Sequence, residues 1–471
     1  MDMRDLWRLD GHDQAELVRT GQLTPLDLVE AAITRIEASR PELGAVPITC
    51  FDRAIEEAKA ADTRPGGNGS PLSAVPFLLK DLGPGCAGLA ATAGSALLAG
   101  NVQKHDSTLA RRFQAGGLRI LGKSATAEFG VLPTTEPAHY GPTRNPWARD
   151  RSAGGSSGGA AAAVAAGLVP LAHANDAGGS IRIPASCCGV FGLKPTRART
   201  PMGPDVGDLM NGLAAEHVVS RSVRDSAAAL DLVAGPDTGD PYWAPPVDGT
   251  FLDAVLAPAE RPLRIAFTTR TGMTDLDAEC VRAVTEAARL CEELGHEVVE
   301  DAPAIGIADV AAEFLTVWAA GVSSAVTAQA FVAGRTPHPG LLEPLTWWLY
   351  EQGKAVSAAE YLLTITRLQR AARALASFHE RHDVLLSAVT AEPAPLLGTF
   401  HHGSPQQQLD RALAFAYETP LANLSGQPAM SVPLHRTADG IPVGVQFTGR
   451  FGEERTLLSL AAQLEAARPW A

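Results

Sequence analysis

The chain has 471 residues, of which 46% are hydrophobic and 19% are charged, and its formal net charge is −13. This composition is ordinary for a folded soluble protein, and the acidic balance argues against general nucleic-acid binding. The sequence shows no apolar run of about 18 residues, which argues against a membrane-spanning helix. The N-terminal residues lack the apolar core of a secretory signal, and the cysteines form no C-x-x-C pair, so we expect free thiols and a cytoplasmic location.

Helix and strand patterns alternate along the first half of the chain. Thr24 and Pro25 predict a helix start, because threonine caps the free N–H groups of a first turn and proline fits its first position. Residues 62–73 are rich in Pro, Gly and Asn and predict a surface loop. Buried strands are predicted at 75–79, 118–121 and 168–172, and helices at 106–114 and 158–166.

The second half of the chain continues the same alternation after a loop rich in Pro, Asp and Gly at 235–249. Asp439 and Gly440 predict a turn between two paired strands at 429–434 and 443–447. Further strands are predicted at 263–267, 297–299 and 384–386, and helices at 278–294, 358–379 and 453–464. We therefore expect an α/β protein with a mixed central β-sheet that is covered by helices on both faces.

Two local motifs point to other functions, and their surroundings argue against them. Residues 117–124 (GLRILGKS) match the phosphate-binding P-loop, but the variable positions have a strand pattern where a P-loop has an exposed loop. Residues 154–158 fit the nucleophile elbow G-x-S-x-G, but a polar segment precedes them where that elbow needs a hydrophobic strand.

His379 and His382 have the spacing of metal ligands without a third partner, so we interpret them as part of a solvated charged face.

The segment 154–196 is dominated by small residues and contains two serines beside glycines, Ser156 and Ser180. Small residues let the backbone approach a ligand, and the glycines before Ser180 can turn their N–H groups inward. A hydroxyl in such a segment suits acyl transfer, in which the nucleophile and the oxyanion donors must be adjacent. A tight turn with an incidental serine is the alternative. Asp176 and Arg182 flank Ser180, and we expect them to form an ion pair that braces the turn.

Lys80 follows the predicted buried strand at 75–79. A buried lysine is costly unless its charge is paired or its pKa is lowered, so a catalytic amine is one interpretation. The alternative is a lysine at a strand end whose ammonium group reaches water or pairs with Asp81. Cys187 and Cys188 are interpreted as small core residues.

Several motifs together resemble the amidase signature hydrolases, and within that family the branch that hydrolyses nylon-type cyclic amide oligomers and the related urethanases. The resemblance covers most of the chain, and its central block is highly specific. The motifs are LLKDL around Lys80, GKSATAEFG at 122–130, TRNPW at 143–147, the whole of 154–196, and NLSGQPAMSVP with GIPVGVQFTGRFGEE near the C-terminus.

The resemblance implies a Ser–cisSer–Lys triad. Ser180 corresponds to the nucleophile, Ser156 to a serine that follows a cis peptide bond, and Lys80 to the general base. Neutral Lys80 would draw a proton through Ser156, and the Ser180 hydroxyl would form an acyl-enzyme that water hydrolyses. For a carbamate substrate, the acyl-enzyme would be a carbamate or carbonate ester.

Supporting residues are also implied by the resemblance. Ser157 would hold the triad lysine or serine by a hydrogen bond. Asn175 stands where the family commonly has threonine, a residue that helps to hold the lysine or the cis serine. We expect altered detail there without loss of function, because asparagine can still donate and accept hydrogen bonds. The implied oxyanion N–H donors are those of Ala177, Gly178, Gly179 and Ser180.

The resemblance further implies one amidase domain over 1–471 that cleaves amide bonds other than peptide bonds, with aryl or cyclic amides and carbamates as plausible substrates. It implies no cofactor and no metal, and a small-molecule amide or carbamate as the partner instead of nucleic acid or a membrane. The oligomeric state is left open, with a homodimer as one alternative.

The segment 310–350 matches the family least and is expected to be a less typical substrate-binding insertion. Phe314 and Trp318 lie four residues apart, which places both on one side of a helix. Plain core packing is one interpretation of the aromatic residues, and an apolar pocket for aryl or aliphatic amides is the other. The pocket candidates are Phe314, Trp318, Trp347 and Trp348.

An amidotransferase component, which releases ammonia from glutamine for partner proteins, is the alternative function. Such components bind glutamine with polar and charged side chains, whereas the segment 310–350 is apolar.

Overall fold

The structure is a computed structural model that describes residues 3–61, 69–259 and 261–470. Residues 62–68 of the predicted loop at 62–73 lie outside the described residues. The strands are β1 (Ile48–Thr49), β2 (Pro76–Lys80), β3 (Arg119–Ser124), β4 (Leu171–Asp176), β5 (Phe191–Lys194), β6 (Ala215–Ser220), β7 (Arg264–Phe267), β8 (Glu297–Glu300), β9 (Val384–Ala388), β10 (Ala429–Arg436) and β11 (Pro442–Gly449).

The helices alternate with these strands. They are α1 (Gly11–Arg19), α2 (Pro25–Leu43), α3 (Phe51–Ala60), α4 (Thr108–Ala115), α5 (Gly158–Ala165), α6 (Arg182–Cys188), α7 (Val223–Val233), α8 (Phe251–Leu256), α9 (Ala278–Glu293), α10 (Ala311–Val332), α11 (Pro344–Ala355), α12 (Ala358–Phe378), α13 (Pro405–Phe415), α14 (Thr419–Ser425) and α15 (Glu454–Ala467). Thr24 caps α2, as predicted, by accepting a hydrogen bond from the Asp27 N–H.

The main sheet has eight strands in the order β4-β6-β5-β10-β11-β9-β7-β8. It is mixed, because β7 pairs in parallel with β8 and β9 whereas the other neighbours are antiparallel. Every residue of β11 is buried, which requires that both faces of the sheet centre are covered. The expected α/β fold with a mixed, helix-covered sheet is therefore confirmed. The predicted turn at Asp439 and Gly440 joins β10 and β11.

A second, smaller sheet lies beside the edge strand β4. It has the order β1-β3-β2, with β2 parallel to β3 and Lys80 opposite Ser124. The predicted strand at 118–121 extends through residues 122–124, so the P-loop pattern is a buried strand and the phosphate-loop interpretation fails as expected.

Strand β4 differs from its prediction at 168–172. It begins only after Pro170 and runs on to Asp176, because the chain reverses at Gly167 (φ 70°) and proline lacks the N–H that a central ladder needs. The polar end of this strand was not predicted, since Asn175 and Asp176 are unfavourable in strands by propensity. Strand β6, which pairs with β4, was not predicted either.

Helix α10 occupies the first part of the predicted insertion at 310–350. Its 22 residues, with a mean hydropathy of 1.4 over an 18-residue window, match a membrane-crossing helix by length and composition only. Polar residues such as Glu313 and Gln329 interrupt the helix, so it is not a continuous apolar run. Phe314, Val317 and Trp318 are buried in the protein interior, whereas Phe331 and Val332 near the helix end are exposed.

The prediction for the cysteines is confirmed, whereas the prediction for His379 and His382 is not. All six cysteines are free, and Cys187 and Cys188 are buried, as predicted. His379 and His382 are also buried, so the interpretation as a solvated face is wrong. They lie at the end of α12, where both rings pack against Phe378 and His382 contacts Asp301 at 2.9 Å.

Candidate active site

Lys80 is the last residue of β2, and its side chain is completely buried. The ammonium nitrogen Nζ lies 2.7 Å from Ser156 Oγ and 2.6 Å from Asn175 Oδ1. Within the described residues no carboxylate lies at ion-pair distance from Nζ. Asp81 instead accepts a hydrogen bond from the Thr92 N–H at 2.9 Å. Lys80 therefore neither reaches water nor pairs with Asp81, contrary to the alternative that its position left open.

Burial sets the protonation of Lys80. Loss of hydration lowers the pKa of its amine to about 7, although the charges of Glu216 and Asp176 act in the opposite direction. An amine with a pKa near neutrality is available as a base at physiological pH, which a surface lysine is not.

Ser156 precedes α5 and follows a cis peptide bond between Gly155 and Ser156. This is the geometry that the resemblance implied for that serine. A Cβ at Gly155 would collide with the backbone of Thr134, and a Cβ at Gly130 would lie 3.3 Å from Ser156 Oγ. Glycine at these two positions therefore lets the backbone close around the Ser156 hydroxyl.

Ser180 lies in the turn between β4 and α6. The Asp176 carboxylate shapes this turn by accepting hydrogen bonds from the Gly179 N–H at 2.8 Å and from the Ile181 N–H at 3.1 Å. Gly179 has a φ of 130°, and a Cβ there would collide with Thr419 Oγ1. The Ser180 hydroxyl makes no hydrogen bond to any of the described residues and borders a cavity. It is therefore free to react with a ligand in that cavity.

The expected ion pair between Asp176 and Arg182 is present at 2.8 Å, and both side chains are completely buried. The guanidinium of Arg182 also donates to Gln446 and Asn423. The adjacent positive charge holds the pKa of Asp176 well below its usual range despite burial. Asp176 therefore stays ionised and braces the turn, as predicted.

The predicted oxyanion donors are only partly available. The Gly179 N–H donates to Asp176 and is removed from the set, because one N–H cannot serve both a carboxylate and an oxyanion well. The N–H groups of Ala177, Gly178 and Ser180 have no acceptor in the described part of the chain. Thr419 holds this segment by donating to the Gly178 carbonyl at 2.7 Å.

The two supporting residues behave differently from one another. Asn175 contacts Lys80 through its Oδ1, and its amide nitrogen donates to the Leu82 carbonyl at 2.9 Å. Ser157 donates to the Asn175 carbonyl at 3.2 Å and makes no hydrogen bond to Lys80 or Ser156. The predicted direct support by Ser157 is therefore wrong, since its hydroxyl is turned toward the backbone of β4.

The cavity beside Ser180 is apolar. Phe314 and Trp318 form one wall, with ring centroids 5.5 Å apart, and Gly155, Gly178 and Ser180 also line the cavity. The sequence did not indicate the aliphatic contribution of α13 to the lining, because helical leucines and alanines carry no signal beyond core packing. The further lining residues include Leu132, Pro133, Leu409, Ala412, Leu413 and Ala416.

Trp347 and Trp348 do not line this cavity. They are half-buried on α11, and Trp347 packs against Tyr350 with ring centroids 5.4 Å apart. The pocket prediction is therefore wrong for these two residues, because they lie on a different helix from Phe314 and Trp318 and pack into the surrounding core.

Comparisons with known proteins identify the family. A family model described as Amidase matches residues 27–458. The chain is 37% identical to each of two 6-aminohexanoate-cyclic-dimer hydrolases, from Pseudomonas sp. (strain NK87) and from Paenarthrobacter ureafaciens, over 100% of this chain and 97% of each relative.

Solved structures give the same result. A 6-aminohexanoate cyclic dimer hydrolase complexed with substrate superposes with a TM-score of 0.91 at 35% identity, over 99% of this chain and 98% of that one. A bacterial aryl acylamidase of the amidase signature family superposes with a TM-score of 0.89 at 27% identity, over 98% of this chain and 96% of that one. The chain therefore belongs to the amidase signature family of amide hydrolases.

Proposed function

We propose that this amidase uses Ser180 as nucleophile, Ser156 as proton relay and Lys80 as general base. The observation that carries the proposal is the 2.7 Å contact between Lys80 Nζ and Ser156 Oγ, made in a buried site without a carboxylate partner for the amine. Gly155, adjacent to Ser156, borders the same cavity as Ser180, which supports a relay between the two hydroxyls.

Each step of the reaction follows from these groups. Neutral Lys80 takes the Ser156 proton, and Ser156 takes the Ser180 proton while Ser180 Oγ attacks the carbonyl carbon. The N–H groups of Ala177, Gly178 and Ser180 stabilise the negative oxygen that forms. The proton held by Lys80 then returns through Ser156 to the leaving nitrogen as the C–N bond breaks. Water hydrolyses the resulting ester by the same relay and releases the acid.

The apolar cavity supports an apolar substrate class. Phe314 and Trp318 offer stacked aromatic surface, which favours aryl and extended aliphatic amides over small polar ones. The similarity to a cyclic-dimer hydrolase and to an aryl acylamidase supports cyclic and aryl amides. Aryl carbamates are included in the proposal, because they present the same carbonyl and an aryl group of similar shape.

The amidotransferase alternative is less well supported. The chain is 25% identical to a component of the glutamyl-tRNA(Gln) amidotransferase from Thermotoga maritima, with a TM-score of 0.77. Binding of glutamine needs polar or charged partners for its α-ammonium and α-carboxylate groups, whereas the cavity lining beside Ser180 consists of glycine, aromatic, aliphatic and proline residues. A cytoplasmic location remains part of the proposal and is supported by the free cysteines.

The test is turnover by the purified chain without partner proteins. We expect hydrolysis of p-nitroacetanilide, of a cyclic amide dimer and of an aryl carbamate, and little hydrolysis of glutamine. Ser180→Ala and Lys80→Ala are each expected to lower kcat by at least about 100-fold, the lower range for loss of a nucleophile or a general base. Ser157→Ala, next to Ser156, is the serine control and should keep most of the activity. Normal turnover by Ser180→Ala would refute the proposal.

A further inference from the structure

A closed ring of buried hydrogen bonds surrounds the Lys80 side chain. Asn175 accepts from Lys80 Nζ, and its amide nitrogen lies 3.3 Å from Glu216 Oε1. The other oxygen, Glu216 Oε2, lies 2.7 Å from His173 Nε2. His173 Nδ1 then accepts from the backbone N–H of Lys80 at 3.3 Å. The ring begins and ends on the same lysine.

The two sheets bring this ring together. Asn175 and Glu216 lie directly opposite each other in the antiparallel pair of β4 and β6. His173, two residues before Asn175, is on the same face of β4 and reaches the neighbouring edge strand β2. Gly83 leaves the room that the ring needs, because a Cβ there would lie 2.8 Å from Asn175 Nδ2 and 3.1 Å from Glu216 Oε1.

We infer that Glu216 and His173 are positioning residues that fix the Asn175 amide and thereby direct the lone pair of Lys80 toward Ser156. This inference rests on the proposed role of Lys80 as the base. A neutral amine has two hydrogens and one lone pair. A hydrogen bond from Lys80 Nζ to Asn175 Oδ1 therefore constrains where the lone pair points. Neither Glu216 nor His173 belongs to the proposed triad.

The chemistry of a carboxylate explains why glutamate stands at position 216. An ionised carboxylate only accepts hydrogen bonds, and both of its oxygens can do so. Asn175 must therefore turn its NH₂ toward Glu216 and its oxygen toward Lys80. His173 accepts at Nδ1 from a backbone N–H, so its neutral ring carries its hydrogen on Nε2 and donates to Glu216. A glutamine has one acceptor oxygen and can satisfy only one of these neighbours.

The charges that face Lys80 determine the direction in which its pKa should change when Glu216 is replaced. Glu216 on β6 and Asp176 on β4 both favour the ammonium form, and desolvation opposes them. Burial lowers the pKa of His173. The hydrogen bond to Glu216 and the charge of Glu216 oppose this shift, whereas the charges of Lys80 and of Lys123 on β3 add to it, and the net shift favours the neutral ring. Removal of the Glu216 charge should therefore make Lys80 easier to deprotonate.

The experiment measures kcat/KM against pH with p-nitroacetanilide for Glu216→Gln, Lys80→Ala and a control, Glu297→Gln on the exposed strand β8. For Glu216→Gln we expect the acid-side midpoint to move at least about 0.5 pH units lower, because a negative charge that favours the ammonium form is lost. We also expect the plateau of kcat/KM to fall at least about tenfold, because one contact of the ring is broken. Glu297→Gln should match the wild type in both.

The outcomes separate this inference from the proposed function. A lower plateau with an unmoved midpoint indicates a merely structural role and overturns the inference, as does a profile equal to that of Glu297→Gln. If Lys80→Ala retains wild-type turnover, the base assignment itself is wrong. If circular dichroism shows that Glu216→Gln is unfolded, Glu216→Asp replaces it. That variant keeps the charge, so its midpoint should stay while its plateau falls, and an unchanged plateau overturns the inference.

Discussion

The indole of Trp318 lies against Gly178, the residue two positions before Ser180, so that a Cβ on Gly178 would be 3.4 Å from the ring. Phe314 stacks on Trp318 and has the same distance to that Cβ position. The aromatic pair therefore forms a wall of the cavity next to the proposed oxyanion donors, where the part of the substrate nearest the reacting carbonyl would lie.

Replacement of Trp318 by alanine should weaken the binding of aryl substrates. An aromatic contact of this kind contributes about 0.5–1.5 kcal/mol beyond its buried area, so we expect KM for p-nitroacetanilide to rise about tenfold with a smaller change in kcat. Acetamide, which has no aryl group, serves as the comparison substrate. Trp347→Ala is the matched control variant on α11, and an equal rise in KM for both variants would contradict the assignment of the pocket.

Gly179→Ala should destabilise the protein and abolish activity. Its φ of 130° is strained for any L side chain, and the new Cβ would collide with Thr419 Oγ1. We expect a loss of about 1–3 kcal/mol in the free energy of unfolding, measured by urea denaturation. Gly178→Ala is the matched control, because its Cβ would make only ordinary contacts, and it should fold normally. Equal stability of the two variants would contradict this view of the turn.

The buried pair of Asp176 and Arg182 should show strong coupling. Arg182→Met leaves the Asp176 carboxylate buried without its countercharge, and loss of one partner of such a pair typically costs about 3–5 kcal/mol. The double variant Asp176→Asn/Arg182→Met removes both charges and should regain part of the lost stability. It should not regain activity, because Asp176 also holds the turn that contains Ser180. Urea denaturation of the two single variants, Arg182→Met and Asp176→Asn, and of the double variant gives the coupling energy, and strictly additive effects would count against the pair.

Glu418 should make stability depend on pH. It lies between α13 and α14, and burial raises the pKa of its carboxyl from 4.5 to about 7, partly opposed by Arg182. The folded state therefore binds this proton more tightly than the unfolded state. The resulting stability is present below pH 4.5 and is lost as the pH rises to about 7.

Glu418→Gln mimics the protonated carboxyl and should remove this dependence. Variant and wild type should have equal stability near pH 4.5, and above pH 7 the variant should be more stable by up to about 3 kcal/mol. The surface variant Glu380→Gln is the control for removal of one negative charge. A stability difference that is the same at both pH values would show that proton binding at Glu418 is not its cause.

The order of helices and strands was largely predictable, because apolar periodicity and caps such as Thr24 and Pro25 mark element boundaries locally. The end of β4 was not. Asn175 and Asp176 are poor strand formers that are held in the ladder by β6 and by contacts with Lys80 and Arg182. Tertiary contacts override local preference at this point, where the site is built.

The site itself was accessible only through the family motifs. Spacing within 154–196 placed Ser156 and Ser180 in one glycine-rich segment, but nothing local linked them to Lys80. The use of the Gly179 N–H by Asp176 and the ring through Glu216 depend on side-chain directions that a single sequence does not encode. Trp347 and Trp348 show the same limit of a single sequence, because they lie on a different helix from Phe314 and Trp318 although all four belong to one segment.

The proton relay from Ser180 through Ser156 to Lys80 is tested most directly by the pre-steady-state burst of p-nitrophenol from p-nitrophenyl acetate between pH 5 and 9. For the wild type we predict a burst of one equivalent per chain whose rate rises through a midpoint near the pKa of Lys80, about 7. Lys80→Ala should acylate at least about 100-fold more slowly and without that midpoint. A burst from Lys80→Ala with the wild-type rate and midpoint would contradict the account.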